Sequence, residues 1–426
     1  MHIFLSGIGG AGIGPLARIA LELGYQVSGS DMKESPYLDD LRQLGINILP
    51  GQDGTQMEAI HKQHEIDWFV YASAVSMANP DGPEFQVARK YHIKSTKRDE
   101  FLNHIIQEAG FKLLAIAGTH GKTTTTAMCV WLFQQLNLKA SWSVGGKMPF
   151  ANMGHAQMDA EWFIYECDEF DRNFLAFRPD KSIISGLAYD HHEIYPSQEL
   201  YNQAFIQFID QSEQVLIYQN DFERLYGNKH VPLNLKIVDN RYAENVSLAG
   251  WVNQLDAGLA VHALADITNQ PVDKLLEIIN RFPGIARRFE YLTPNLVTDY
   301  AHTPEKIAGC LAMAKEKNEH MVVVYEPLTN RRQHFIKSAY ESLFAGIEKL
   351  YWLPAYQARE HPEYRNFEPQ ELINYMGNPE IATPAALDNN LKHAIEEHRA
   401  NNQLVIALSG GGAGSLDAWL RVQKWS

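Results

Sequence analysis

Short apolar runs alternate, almost to the C-terminus, with longer stretches whose apolar residues recur at helical spacing. Alternation of buried strands with amphipathic helices predicts an α/β fold built on parallel sheets. A strand at 2–6 is followed by a glycine turn, a helix at 15–23 and a strand at 26–28. Strands are expected at 67–71 and 92–95, and a helix at 99–108, after which Ala109-Gly110 marks a boundary. A strand at 113–117 then leads into a helix at 124–138, with further strands at 162–165 and from 183. The last stretch places strands at 296–299, 321–325, 349–353 and 404–408. The 426 residues are too many for one core, and the pattern divides them into 1–109, 110–290 and 291–426.

Composition narrows the function. A formal net charge of −14 excludes a general nucleic-acid surface, which needs a basic footprint. Any phosphate-bearing ligand must therefore be met by local groups. Cys129, Cys167 and Cys310 are scattered and odd in number, the pattern of reduced core thiols rather than a disulfide framework. The N-terminus runs straight into a strand without a basic leader, and no apolar run reaches membrane-spanning length. A cytoplasmic protein is expected.

The chemistry concentrates first at Gly118-Thr119-His120-Gly121-Lys122-Thr123-Thr124-Thr125. A glycine-lined turn between a buried strand and a helix aims N–H groups and a helix N-terminus at phosphate oxygens. Lys122 then reaches the β/γ-phosphates and the Thr123 hydroxyl ligates Mg²⁺, which predicts ATP as a substrate. The general pattern wants glycine where Ile116 stands. A second turn, Gly7-Ile8-Gly9-Gly10-Ala11-Gly12, followed by Asp31, suits an NAD site, a UDP-type site or a tight turn without ligand. Two nucleotide sites, one hydrolysing its ligand, suggest an ATP-driven synthetic enzyme acting on a nucleotide-carried substrate. The acidic run Glu166-Cys167-Asp168-Glu169-Phe170-Asp171 ends a strand beside the phosphate loop, where Mg²⁺ bridges phosphates. Its carboxylates would repel one another without a cation or a basic partner, and a metal site is the favoured reading over a solvated acidic loop. Asp190-His191-His192-Glu193 offers a second ligand.

Together these motifs resemble the ATP-dependent Mur ligases of peptidoglycan synthesis, over essentially the full length and in the family's order. Arg287-Arg288-Phe289-Glu290 and the run from Thr298 to Pro304 resemble two further motifs of that family. The resemblance implies a Rossmann-like UDP-binding domain, a central P-loop ATPase-like domain and a C-terminal Rossmann-like acceptor domain. It implies that Gly7, Gly9, Gly10, Ala11, Gly12, Ser30, Asp31 and Ser73 bind the UDP-substrate. Gly118, Thr119, His120, Gly121, Lys122, Thr123 and Thr124, with Asn253, Arg288 and Asp299, would bind ATP. Thr123, Glu166 and His191 would hold Mg²⁺, and Lys122, Glu166 and His191 would carry catalysis. His302 would lie near the incoming amine. The structural alternative for Arg288 and Asp299 is an interdomain ion pair.

The implied reaction is ATP-dependent amide formation between the lactyl carboxylate of UDP-N-acetylmuramate and L-alanine, through an acyl phosphate, by a monomer or homodimer. The segment from Tyr201 to Phe208 lacks the lysine carbamylated in later-acting ligases, which favours the alanine-adding branch or the recycling branch that attaches a tripeptide. Three departures stand out: Gly186, Ala188 and Asp256 occupy positions where the family carries Asn, Glu and Asn. An NAD-dependent dehydrogenase would leave the phosphate loop unexplained, and a nucleotide-gated binding protein would form no bond.

Overall fold

The computed structural model describes residues 1–191, 194–227, 230–357 and 364–425. Three sheets carry the chain. The first orders its strands β3-β2-β1-β4-β5, all parallel: β1 His2–Ser6, β2 Gln26–Asp31, β3 Asn47–Pro50, β4 Trp68–Tyr71 and β5 Lys94–Lys97. The second comprises β6 Lys112–Ala117, β7 Ala140–Ser143, β8 Gly154–His155, β9 Trp162–Glu166, β10 Lys181–Ile184, β11 Val215–Tyr218 and β12 Leu235–Val238. Its order is β12-β11-β10-β6-β9-β7-β8, with β8 alone antiparallel to its neighbour. The third runs β13-β14-β18-β15-β16-β17. Its strands are β13 Glu290–Thr293, β14 Leu296–Asp299, β15 Met321–Glu326, β16 Lys349–Trp352, β17 Ala382–Pro384 and β18 Leu404–Ser409.

The central strands β6, β15 and β18 are buried on both faces almost throughout, which explains their continuous apolar runs. Two differences from the sequence reading have local causes. The helix after the phosphate loop begins at Lys122, not 124, because Gly121 (φ 76°) turns the chain immediately before it. Strand β5 lies at Lys94–Lys97 rather than 92–95, since His92 sits in the left-handed region and cannot continue a strand.

Two compact units form: 1–247 with 254–283, and 248–253 with 284–426. Within the first unit one buried cluster runs from Ile3 and Leu5 through Phe101 and Ile105 to Leu113, Phe163 and Phe205, so its two sheets share a continuous core. The second unit has cores on the two faces of its sheet, around Tyr325, Tyr340 and Trp352 on one and Val324, Val405 and Leu416 on the other. Cys129, Cys167 and Cys310 are buried thiols. No helix among the described residues is long and apolar enough to cross a membrane.

Candidate active site

The phosphate loop leaves the carboxyl end of β6. Ile116, the departure from the general pattern, is a buried β6 residue facing Ile183 in register, so the turn starts at Gly118. Gly118 has φ 144°, and a Cβ there would stand 2.7 Å from Ser185 Oγ and 2.9 Å from the Gly186 carbonyl. The loop is held by main chain on the next strand. Thr119 N–H donates to Gly186 O at 2.7 Å, and the Thr119 hydroxyl donates to Ala188 O at 2.7 Å and accepts from Ala188 N–H at 2.9 Å. The departures Gly186 and Ala188 therefore serve the loop through backbone groups that every residue type except proline carries. Ser185 Oγ donates to the His120 carbonyl, and the Thr119 hydroxyl also meets Tyr201. Thr123 and Thr124 lie in the first helical turn, whose leading N–H groups have no intrahelical acceptor.

Lys122 donates to Gly118 O at 2.5 Å and to Glu169 Oε2 at 2.7 Å. Burial alone would lower its pKa, but Glu169 and Asp168 outweigh that and hold it above the ordinary lysine value. At the end of β9, Glu166 accepts from Thr123 Oγ1 at 2.7 Å and from Gly145 N–H at 2.7 Å. His191 Nε2 lies 3.6 Å from Glu169 Oε1. Lys122, Thr123, Glu166, Glu169 and His191 thus form one group within the first unit.

The acid run is not left unneutralised, which corrects the repulsion argument for a metal. Asp168 pairs with Arg98 at 3.2 Å, Glu169 with Lys122 and Asp171 with Lys97 at 2.5 Å. Burial pushes the Asp168 carboxyl up, yet Arg98, Lys122 and His191 carry it below the usual range. Among the described residues no three His, Cys, Asp or Glu side chains converge as a metal cage. The Thr123 hydroxyl and Glu166 carboxylate do stand side by side, and Mg²⁺ commonly takes one or two protein oxygens and completes its shell with phosphates and water. That oxygen pair fits Mg²⁺. His192 and Glu193 lie outside the described residues.

Asp256 is 1% exposed and sits against the loop, where a Cβ on Gly121 would collide with its carboxylate. Its Oδ1 has no hydrogen-bond partner among the described residues. Burial raises its pKa to about 7, opposed by the neighbouring Thr125 hydroxyl and aided by Asp221.

The first turn follows β1. Gly7 and Ile8 N–H donate to Ser30 O at 2.8 and 3.0 Å, and Gly9 N–H donates to Asp31 Oδ2 at 2.8 Å. Asp31 Oδ1 accepts from Lys33 N–H at 3.0 Å, so this carboxylate orders the turn. Beneath it Glu84, 3% exposed, accepts from the Ser6 and Ser30 hydroxyls. Ser73, at the start of a helix after β4, exchanges hydrogen bonds with Asn173 at 3.3–3.4 Å.

Asn253, Arg288 and Asp299 belong to the second unit. Asn253 Nδ2 donates to Ala249 O at 2.9 Å. The Arg288 guanidinium lies 4.7 Å from the Tyr300 ring centre. Asp299 accepts from Phe289 and Ala301 N–H, both at 2.7 Å, and burial raises its pKa against the nearby Arg288 and Arg287. The interdomain ion pair is thus replaced by two residues of one unit, the carboxylate bound to main chain. His302 Nδ1 is 2.7 Å from Tyr300 O.

Sequence reasoning passed over Arg98, Lys97 and Glu84. Arg98 carried a signal: a cation at the first residue of the helix Arg98–Glu108 opposes the helix dipole and calls for a compensating anion.

Residues 2–109 match the family description "Mur ligase family, catalytic domain", and residues 116–239 match "Mur ligase middle domain". The chain is 28% identical to a UDP-N-acetylmuramate–L-alanine ligase of Coxiella burnetii, over 97% of this chain and 96% of that one. It is 30% identical to the ligase of the same description from Kineococcus radiotolerans, over 85% of this chain and 83% of the relative. The fold resembles the crystal structure of UDP-N-acetylmuramate–alanine ligase from Thermotoga maritima, with a TM-score of 0.72 at 22% identity, covering 96% and 95% of the two chains. By motif order, site geometry and these relatives, the chain belongs to the Mur ligase family.

Proposed function

We propose that this chain is an ATP-dependent ligase that joins L-alanine to the lactyl carboxylate of UDP-N-acetylmuramate. The observation that carries the reading is the grouping of Lys122, Thr123, Glu166, Glu169 and His191 around one phosphate loop, in a chain whose near-full-length relatives are ligases of that description. In the first step a carboxylate oxygen attacks the γ-phosphorus of ATP, the bond to ADP breaks, and an acyl phosphate forms. In the second the amine attacks the acyl carbon, inorganic phosphate leaves, and the ammonium proton is released.

Lys122 exchanges its Glu169 partner for the β/γ-phosphates and carries charge to the transferred group. The main-chain N–H groups of the loop and of the first turn of the helix Lys122–Gln135 hold the phosphates in line. Thr123 and Glu166 would hold Mg²⁺, which supplies charge neutralisation on the phosphate oxygens, with His191 as the resemblance's further ligand. Residues 7–12, Ser30, Asp31 and Ser73 take the UDP-substrate; for Asn253, Arg288 and Asp299 ATP binding is what the family resemblance implies. The enzyme acts in the cytoplasm.

Phosphate release from ATP, measured with UDP-N-acetylmuramate and Mg²⁺ in the presence of L-alanine or of the muropeptide tripeptide, tests this reading with product mass as the check. Release that depends on L-alanine with an amide of matching mass supports it. Dependence on the tripeptide alone moves the chain to the recycling branch.

A further inference from the structure

The turn at residues 7–12 has its donors almost fully accounted for. Gly7 and Ile8 N–H go to Ser30 O, Gly9 N–H to Asp31, and Gly10 N–H to Gly7 O at 3.0 Å. Ile13 and Gly14 N–H turn back to Gly10 O at 3.1 and 2.8 Å. The consecutive N–H groups of Ala11 and Gly12 are left, and neither has a hydrogen-bond partner among the described residues. Next to them lies a guanidinium. Arg98 Nε donates to Asp99 Oδ2 at 3.0 Å and Nη2 donates to Asp168 Oδ2 at 3.2 Å, while Nη1 has no hydrogen-bond partner among the described residues. Nη1 packs so closely over Gly12 that a Cβ on that residue would overlap it. The side chain is 16% exposed and anchored by two carboxylates.

We propose that Arg98 Nη1 and the Ala11 and Gly12 N–H groups form one diphosphate-binding site, with Arg98 the side chain that reads the pyrophosphate of the nucleotide-sugar. The inference rests on the reading of this turn as the UDP-substrate site and deepens it. Two adjacent main-chain donors and a planar cation with a free edge match the geometry of phosphate oxygens. Asp99 and Asp168 already meet the charge of Arg98 and fix the guanidinium in place, so a phosphate would engage only its remaining edge. Gly12 is glycine on this view because the guanidinium occupies the space of its side chain. The same fork joins the turn to Asp168, two residues beyond the candidate Mg²⁺ ligand Glu166, which makes Arg98 the physical link between the two nucleotide turns.

Calorimetric titration of UMP, UDP and UDP-N-acetylmuramate into the full chain tests the assignment, using the unmodified protein, Arg98→Lys and Gly12→Ala, with thermal melting to confirm folding. Lysine keeps the charge for Asp99 and Asp168 but cannot also present a donor at Gly12. Gly12→Ala keeps the arginine in the chain but forces its Nη1 away from residue 12, so it reports even if Arg98→Lys does not fold. Both variants are expected to weaken UDP and UDP-N-acetylmuramate roughly 10- to 100-fold while UMP changes less, shrinking the gain from the second phosphate. Equal loss for UMP and UDP, or no loss for any ligand in a folded variant, overturns the role of Arg98 and leaves it a strut. If the unmodified protein takes up neither UDP nor the UDP-sugar, the proposed function of the turn itself fails, and this inference with it.

Discussion

The chain contains two glycine turns that follow a buried parallel strand and lead towards a helix, and they are prepared for their ligands in opposite ways. At residues 118–122 the cation is already taken: Lys122 is bound to Glu169 and to the loop's own Gly118 carbonyl. A phosphate must displace a carboxylate to reach it. At residues 7–12 the cation is fixed from behind by two carboxylates, and its Nη1 and two neighbouring N–H groups have no hydrogen-bond partner among the described residues. The difference separates discrimination from capture. A turn whose lysine must be won from Glu169 favours a highly charged polyphosphate, whereas one with donors standing open favours binding without rearrangement.

Lys122→Ala would break the comparison most severely. Loss of about 10³-fold in kcat is expected, with UDP-N-acetylmuramate affinity nearly unchanged because the first turn does not depend on this lysine. Loss of UDP-sugar affinity in a folded Lys122→Ala protein would show that the turns are not separable. Next in size is Asp256, buried against the phosphate loop. Its folded pKa of about 7 lies above its ordinary 3.8, so the folded state holds the proton more tightly. Stability relative to Asp256→Asn is therefore greatest below pH 3.8 and falls as pH rises through about 7. Between pH 3.8 and well above 7 the stability difference should shift in favour of the asparagine variant by something on the order of 4 kcal/mol, read from urea midpoints across pH. Identical pH profiles for the two proteins would remove the buried acid from the account. The smallest effect belongs to Asp31. Asp31→Ala should weaken UDP-sugar binding about tenfold by loosening Gly9, whereas Asp31→Asn, which still accepts from that N–H, should recover much of it. Unchanged affinity in the alanine variant would mean that the turn holds its shape unaided.

Legibility in the sequence followed the range of the interactions. β1, β6, β15 and β18 stand out because strands covered on both faces are apolar throughout. β3, β7 and β12 read as Asn-Ile-Leu-Pro, Ala-Ser-Trp-Ser and Leu-Lys-Ile-Val, too short and too mixed to announce themselves. The phosphate loop was legible because its chemistry is contiguous. Arg98–Asp168 and Lys97–Asp171 were not, since each partner lies about seventy residues from the other and only the shared core of the first unit brings them together. The repulsion among Glu166, Asp168, Glu169 and Asp171 was inferred correctly from their spacing, but its relief came from lysines and an arginine that no local window contains.

The strand end at 185–188 has a consequence for substitution. Apart from the Ser185 hydroxyl, it supports the phosphate loop with carbonyl and amide groups alone, through Gly186 and Ala188. Those groups are carried by every amino acid except proline, which lacks the N–H used at 188, so other substitutions there leave the supporting scaffold in place. A side-chain change at 186 or 188 should therefore leave the loop's backbone support intact, so its cost falls on contacts the side chain itself makes and not on the loop.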